Sequence, residues 1–343
     1  MKRLFYFITA ALIFGLASGA QAQSVNIVYG DREFAIDEQQ VNDFITKVTN
    51  KVERAAEKLE HKLENLEENI EKGDYKIVID GKEPQRFRGS GNIITESRIV
   101  PDDYHGIITS RAIKVTLEDR NGSTAIIRAD DNVMPHIKIE DHEGVLEIKI
   151  DDKIRTINNI TAEVRLPKSE KINHLEASSA ARINVNYTIH SATLNVESSS
   201  AAGINIAKAD VTRCNIDTSS AANVVASIKA SECHIDAASA ANVKAHLLVN
   251  KCYAESSSAA KITLSGEAGT LNLEASSAAN INATEAKALV KTVADASSGA
   301  DIKVNAGKSL SANASSGGTV AYKAEHDVDV HIIKSSGGNV RKL

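Results

Sequence analysis

The chain has 343 residues, 42% hydrophobic, 25% charged and only 4% aromatic, with no Trp and a formal charge of −5. These fractions fit a folded soluble protein, and the scarcity of rings excludes an aromatic-lined platform for sugars or bases of the usual kind. The acidic balance argues against a nucleic-acid partner, whose phosphates need a basic footprint, and removal of Lys2 and Arg3 with a leader would take the charge to −7.

Lys2 and Arg3 precede an apolar run of 13 residues, Leu4 to Leu16, and Ala20-Gln21-Ala22 is the small-x-small pattern of a signal-peptidase site. Residues 1–22 therefore read as a signal peptide, with a mature chain from Gln23 that is exported to the periplasm, the outer-membrane surface or the medium. No later apolar stretch reaches the ~18 residues that would span a bilayer. No transmembrane segment after cleavage is expected, nor room for a membrane barrel beyond the last repeat.

Residues 23–36 form an N-terminal segment, and from Asp37 to Lys72 there is neither Gly nor Pro. There Val41, Ile45, Val48, Val52, Ala55, Leu59, Leu63, Leu66 and Ile70 recur in steps of three and four, the stripe of an amphipathic α-helix. Asp37 would cap its start and Gly73 its end. The spacing predicts a helix over 37–72 that either lies along the rest of the protein or joins two copies as a coiled coil in a homo-oligomer.

Residues 73–168 read as an irregular β region, with turns expected at Asp80-Gly81, Asn121-Gly122 and Glu143-Gly144. The stretch Ser110-Arg111-Ala112-Ile113-Lys114-Val115 echoes the corner-and-strand pattern that follows, so the region can hold the first coils.

From residue 169 to 343 the chain repeats itself. A small-residue tetrad starts at Ser178, Ser199, Ser219, Ala238, Ser257, Ser276, Ser297, Ser315 and Ser335, at intervals of 18 to 21. Apolar residues alternate on both sides of it, as in Leu194 and Val196 before one tetrad and Ile204 and Ile206 after it. Alternation around a small-residue corner is strand, tight turn, strand. A unit of ~20 residues cannot bury its own apolar face and must stack on its neighbours. The expected fold is all-β: a single-stranded, right-handed parallel β-helix of ~20-residue coils, preceded by the long helix.

Phe87-Arg88-Gly89-Ser90-Gly91, Ala129-Asp130-Asp131-Asn132-Val133-Met134-Pro135 and Gly144-Val145-Leu146-Glu147-Ile148, followed by Ser-Ser-Ala-Ala and Ser-Ser-Gly-Gly repeats, resemble the GIN-type head domain ascribed to autotransporter adhesins. The resemblance spans about residues 76–343. It implies a single-stranded β-helix in a Gram-negative envelope and carries over no catalytic residue.

One outward column stands out, two residues before each tetrad: Glu176, Glu197, Asp217, Asp236, Glu255, Glu274 and Asp295, then Asn313. Two residues earlier on the same face stand His174, Asn195, Asn215, His234, Tyr253 and Asn272. Carboxylates beside amide oxygens are the hard-oxygen chemistry of Ca²⁺ and a surface that a glycan can hydrogen-bond. The other reading is a solvated acidic face, or one docked against the Lys and Arg of the 37–72 helix. Cys214, Cys233 and Cys252 fall in a column that is apolar elsewhere and read as core thiols. No cofactor is expected, Ca²⁺ being the one ion the acidic column could hold, and the ten His do not cluster in the sequence.

No Gly-x-Ser-x-Gly elbow is present, and a uniform carboxylate ladder lacks the two unlike environments that acid–base catalysis uses. The expected function is an exported, non-enzymatic envelope protein that attaches to a glycan or other cell-surface component through its solenoid face. A self-associating envelope scaffold is the alternative, and a polysaccharide-cleaving β-helix the third reading.

Overall fold

The computed structural model describes residues 25–29, 32–36, 86–154, 156–324 and 327–343, in two compact units, 1–84 and 85–343. In the first unit, Val25–Tyr29 and Arg32–Ile36 pair as an antiparallel hairpin in the register Val25↔Ile36 to Tyr29↔Arg32.

The second unit is a parallel β-solenoid. Its longest strands are Arg182–Ser198, Gly203–Thr218, Asn223–Ala237, Asn242–Ser256, Lys261–Ala275 and Asn280–Ala296, each in parallel register with the next. Parallel in-register pairing stacks like on like. One inward column runs Val164, Val115, Ile183, Ile204, Val224, Val243, Ile262, Ile281, Ile302, Val320 and Val340. All of these are buried. The period-2 alternation read from the sequence is what fills this core: every second side chain of a strand points inward.

The corners explain the tetrads more fully than side-chain size does. In each, the second and third residues have left-handed backbone, as at Ser179 and Ala180 (φ 50° and 62°) and again at Ser220 and Ala221 (51° and 60°). The third N–H donates to the second carbonyl of the next coil, Ala180 to Ser200 and Ala201 to Ser220, both at 2.9 Å. The fourth N–H closes the turn onto the first carbonyl, Ala181 to Ser178 at 3.0 Å. The backbone ladder thus continues around the corners through the third and fourth N–H groups. Only the fourth residue is buried, except in the last corner where Gly338 is half-buried; the second and third face solvent. In the last two corners the fourth residue is Gly318 and Gly338, where a Cβ would run into the carbonyls of Ala296 and Ala314.

Ser110–Ile113 makes the same corner, with Arg111 and Ala112 at φ 58° and 59° and the Ala112 N–H on the Ser179 carbonyl. Around it the solenoid gives way to mixed pairing. Ile93–Ile99 runs antiparallel to Thr124–Asp130, and Ile137–His142 to Val145–Ile150. Ala162–Leu166 joins Thr124–Asp130 antiparallel and Lys114–Leu117 parallel. These strands cover the first coil, and Tyr104, Ile107, Ile113, Ile148 and Leu166 are fully buried under them.

The expected fold class needs one correction. Among the described residues there is no α-helix, only a single 3-10 turn at Met134–His136. The fold is an all-β solenoid with an antiparallel cap, not a solenoid preceded by a described helix. Residues 37–72, where helix and self-association were expected, lie outside the described residues, as does the expected signal peptide at 1–22. No helix among the described residues is long and apolar enough to cross a membrane.

Candidate functional site

The register brings the predicted acidic column together. Glu176 pairs with Glu197, Glu197 with Asp217, Asp217 with Asp236, Asp236 with Glu255, Glu255 with Glu274, Glu274 with Asp295 and Asp295 with Asn313. Each carboxylate therefore sits one strand spacing, ~4.8 Å of backbone, from the next. Little offsets them. Glu176 has His174 Nε2 at 3.7 Å, and Asn313 donates to Asp295. Among the described residues no ion pair reaches Glu197, Asp217, Asp236, Glu255 or Glu274; the Lys and Arg of residues 37–72, against which this face was expected to dock, lie outside the described residues. Partial burial, then the charges of Asp236 and Glu197, hold the Asp217 carboxyl above the usual range. A shallow groove of about 310 Å³ runs along Glu176, Glu197, Asp217 and Asp236, edged by Ser199 and Ser219 of the corners.

The neighbouring column is equally continuous: His174, Asn195, Asn215, His234, Tyr253 and Asn272 pair in order. Asn215 Nδ2 donates to Asn195 Oδ1 at 2.8 Å. His234 and Tyr253 stack with centroids 4.7 Å apart and planes 12° from parallel. The repeat period already placed His234 and Tyr253 in adjacent coils of one column; the structure adds that their rings stack. A third column, Arg213, Glu232, Lys251, Thr270 and Lys291, borders it. Here charges do pair, with Arg213 3.6 Å from Glu232 and His234 Nε2 3.1 Å from the same carboxyl, which lies below its ordinary pKa through that His234 contact. One face of the solenoid is thus a flat strip with an acidic edge, an amide-and-ring centre and a mixed, partly cationic edge.

Cys214, Cys233 and Cys252 pair in successive coils and are fully buried free thiols. The hydrogen bond between Cys214 and Cys233, then burial, pushes the Cys214 thiol well up. They pack as small apolar groups.

Two of the three motifs that carried the family resemblance, around Gly89 and around Asp130, meet as a clasp rather than a site. Asp130, 2% exposed, accepts the Gly91 N–H at 2.7 Å and the Thr161 N–H at 2.6 Å. Asp131 takes Ser90 Oγ and Asn92 Nδ2, which lower its pKa. Asn132 accepts the Ser90 N–H and donates to the Arg88 carbonyl. Gly89 is required because a Cβ there would lie 2.5 Å from Asp130 Oδ2 and from the Asn159 carbonyl. Every oxygen of this acidic cluster that the clasp uses is occupied by a protein donor.

A family model described as "Putative auto-transporter adhesin, head GIN domain" matches residues 103–254 and 222–325. Three solved structures share the fold. A "putative adhesin" of Parabacteroides distasonis is 18% identical, with TM-score 0.56, over 76% of this chain and all of its own. A "putative lipid binding protein" of the same species is 16% identical, with TM-score 0.54 and the same coverage. A "putative adhesin" of Parabacteroides merdae is 19% identical, with TM-score 0.50, over 75% of this chain and 99% of its own. No curated protein matches.

Proposed function

The chain belongs to the auto-transporter adhesin head (GIN) family, and on that premise we propose that it is an exported, non-enzymatic protein of the cell envelope that binds glycans through the strip of carboxylates, amides and rings on its solenoid. The observation that supports this reading is the unbroken register of the acidic column beside a column of Asn, His and Tyr. A polysaccharide is itself a repeating row of hydroxyl donors, and a row of acceptors at ~4.8 Å spacing offers it successive hydrogen bonds. The stacked His234–Tyr253 pair adds one apolar ring face. Ca²⁺ would bind the same carboxylates through oxygen donors, bridging them to sugar hydroxyls.

The test is binding of the purified chain to an array of bacterial and host glycans, with millimolar Ca²⁺ and with EDTA. The comparison is a variant carrying Asp217→Asn, Asp236→Asn and Glu255→Gln, and a second carrying Tyr253→Ala. Retained glycans that both variants lose support the strip as the site. Retention unchanged in both variants sinks it. Loss with EDTA in the parent alone assigns Ca²⁺ to the column.

A further inference from the structure

Ile137–His142 and Val145–Ile150 are joined by a two-residue turn, Glu143-Gly144, with both φ values positive (55° and 89°). This is the turn geometry that matches strand twist in tight hairpins. The register it fixes sets Glu140 directly opposite Glu147 and His142 opposite Val145. Like charges facing each other across an antiparallel pair are destabilising, so this pair calls for a cation. Lys149 supplies one, its Nζ 2.7 Å from Glu147 and 3.2 Å from Glu140. His142 closes the remaining side, with Nε2 3.3 Å from Glu147 Oε2 and 3.8 Å from Glu140 Oε2. One ligand atom from each of Glu140, His142 and Glu147 lies within 4.8 Å of the others.

We propose that Glu140, His142 and Glu147 bind a divalent transition-metal ion, which takes the place that the Lys149 ammonium holds between the two carboxylates. The donor set decides the class of ion. One imidazole nitrogen with two carboxylate oxygens suits Zn²⁺ and its neighbours, whereas Ca²⁺ and Mg²⁺ take oxygen alone. Ligands bound at ~2.0–2.2 Å stand roughly as far from one another as His142 Nε2 now stands from the two carboxylates. Three protein ligands leave a coordination position for water or for a donor from a partner. All three side chains reach solvent, at 39%, 61% and 29% exposure for Glu140, His142 and Glu147, so an ion has access and Lys149 can swing outward. The ten His are dispersed in the sequence; it is the hairpin register that places this one against two carboxylates.

Titration of the full chain with Zn²⁺ by calorimetry, and with Co²⁺ followed by its visible d–d absorption, tests the site. The parent should take up one equivalent saturably. His142→Ala and Glu147→Gln should each weaken that equivalent at least tenfold. Lys149→Met should tighten it by about tenfold, since it removes a positive charge ~5 Å from the ion. Melting curves of each variant in EDTA check that it is folded as the parent is. Indistinguishable titrations of the parent and His142→Ala would overturn the proposal, as would weaker binding by folded Lys149→Met.

Discussion

Replacing Asp217 by Asn should stabilise the solenoid at neutral pH. Its carboxylate faces Glu197 and Asp236 across one strand spacing on each side, with no ion-pair partner among the described residues. At ~4.8 Å in water each neighbour repels it by 332/(80 × 4.8), about 0.9 kcal/mol. A Debye length of ~8 Å at physiological salt cuts that roughly in half, so the two together come to about 1 kcal/mol. For a domain of this size that is a rise in midpoint of about 2–4 °C. Asn keeps the shape and the polarity, so little else changes. The pH dependence follows from the direction of the Asp217 shift. Its folded pKa is raised above the unfolded value, so the folded state holds this proton more tightly. The penalty is fully present above the folded pKa, fades as pH falls through it, and is gone below the unfolded pKa. The assay is a series of thermal and urea melts of parent and Asp217→Asn in EDTA, from pH 7.5 down to pH 3 and at low and 1 M NaCl. The gap should close toward the acid end, and should shrink severalfold in 1 M salt, where the Debye length is ~3 Å. A variant less stable than the parent at pH 7, or a gap indifferent to salt, would refute the uncompensated-repulsion account.

Three further outcomes are expected. Ala221→Gly and Ala240→Gly should each raise stability by about 0.5–1 kcal/mol in urea melts, since both residues have left-handed backbone and face solvent and glycine occupies that backbone without a Cβ penalty; Gly299, Gly317 and Gly337 already stand at the equivalent place in the last corners. Asp130→Asn should cost about 2 kcal/mol in the same melts and expose residues 86–92 to limited proteolysis, because charge-assisted bonds from the buried carboxylate to the Gly91 and Thr161 N–H groups are lost or reversed. In the last coil Lys334 occupies the column held by Ala296 and Ala314 in the coils before it, and charge on an edge strand blocks further pairing; Lys334→Val should promote concentration-dependent association by light scattering, and a size unchanged from the parent's would show that this lysine is not the guard.

The coil period and the core columns were legible in the sequence because a solenoid repeats each local decision. Val196, Ile216 and Ile235 solve the same packing problem in successive coils. The corner backbone was half hidden. Two successive left-handed residues are usually announced by glycine, and here Ser and Ala hold them in most coils. The cap was not legible in detail. Its pairings, such as Ile94 with Ala129, join segments that appear once each, and no period exposes them. The hairpin cluster needed the register of Glu140 against Glu147, and the Asp130 clasp needed Gly89 to be read as a close approach rather than as a flexible link.

The strongest reason to look for a ligand on the acidic column is what the adjacent columns do. Six screened contacts at about 0.5 kcal/mol each cost the fold about 3 kcal/mol, which a continuous buried core can carry. That the cost is bearable says nothing about why it is kept. The same coils, however, manage charge elsewhere by alternating it. On one side Arg213, Glu232 and Lys251 follow each other, with Arg213 bridged to Glu232. On another, Asp210 is followed by Lys229 at 2.8 Å, and Glu267 by Lys287. A chain that alternates sign in these columns and not in the one from Glu176 to Asp295 is not short of lysines or of positions to put them. Uniform sign over seven coils is what a surface needs if its counter-charges or hydrogen-bond donors come from outside the protein. The triple substitution separates the two accounts. If neutralising Asp217, Asp236 and Glu255 raises stability and abolishes glycan retention together, the repulsion is the cost of a binding face; if it raises stability and binding persists, the column is repulsion alone.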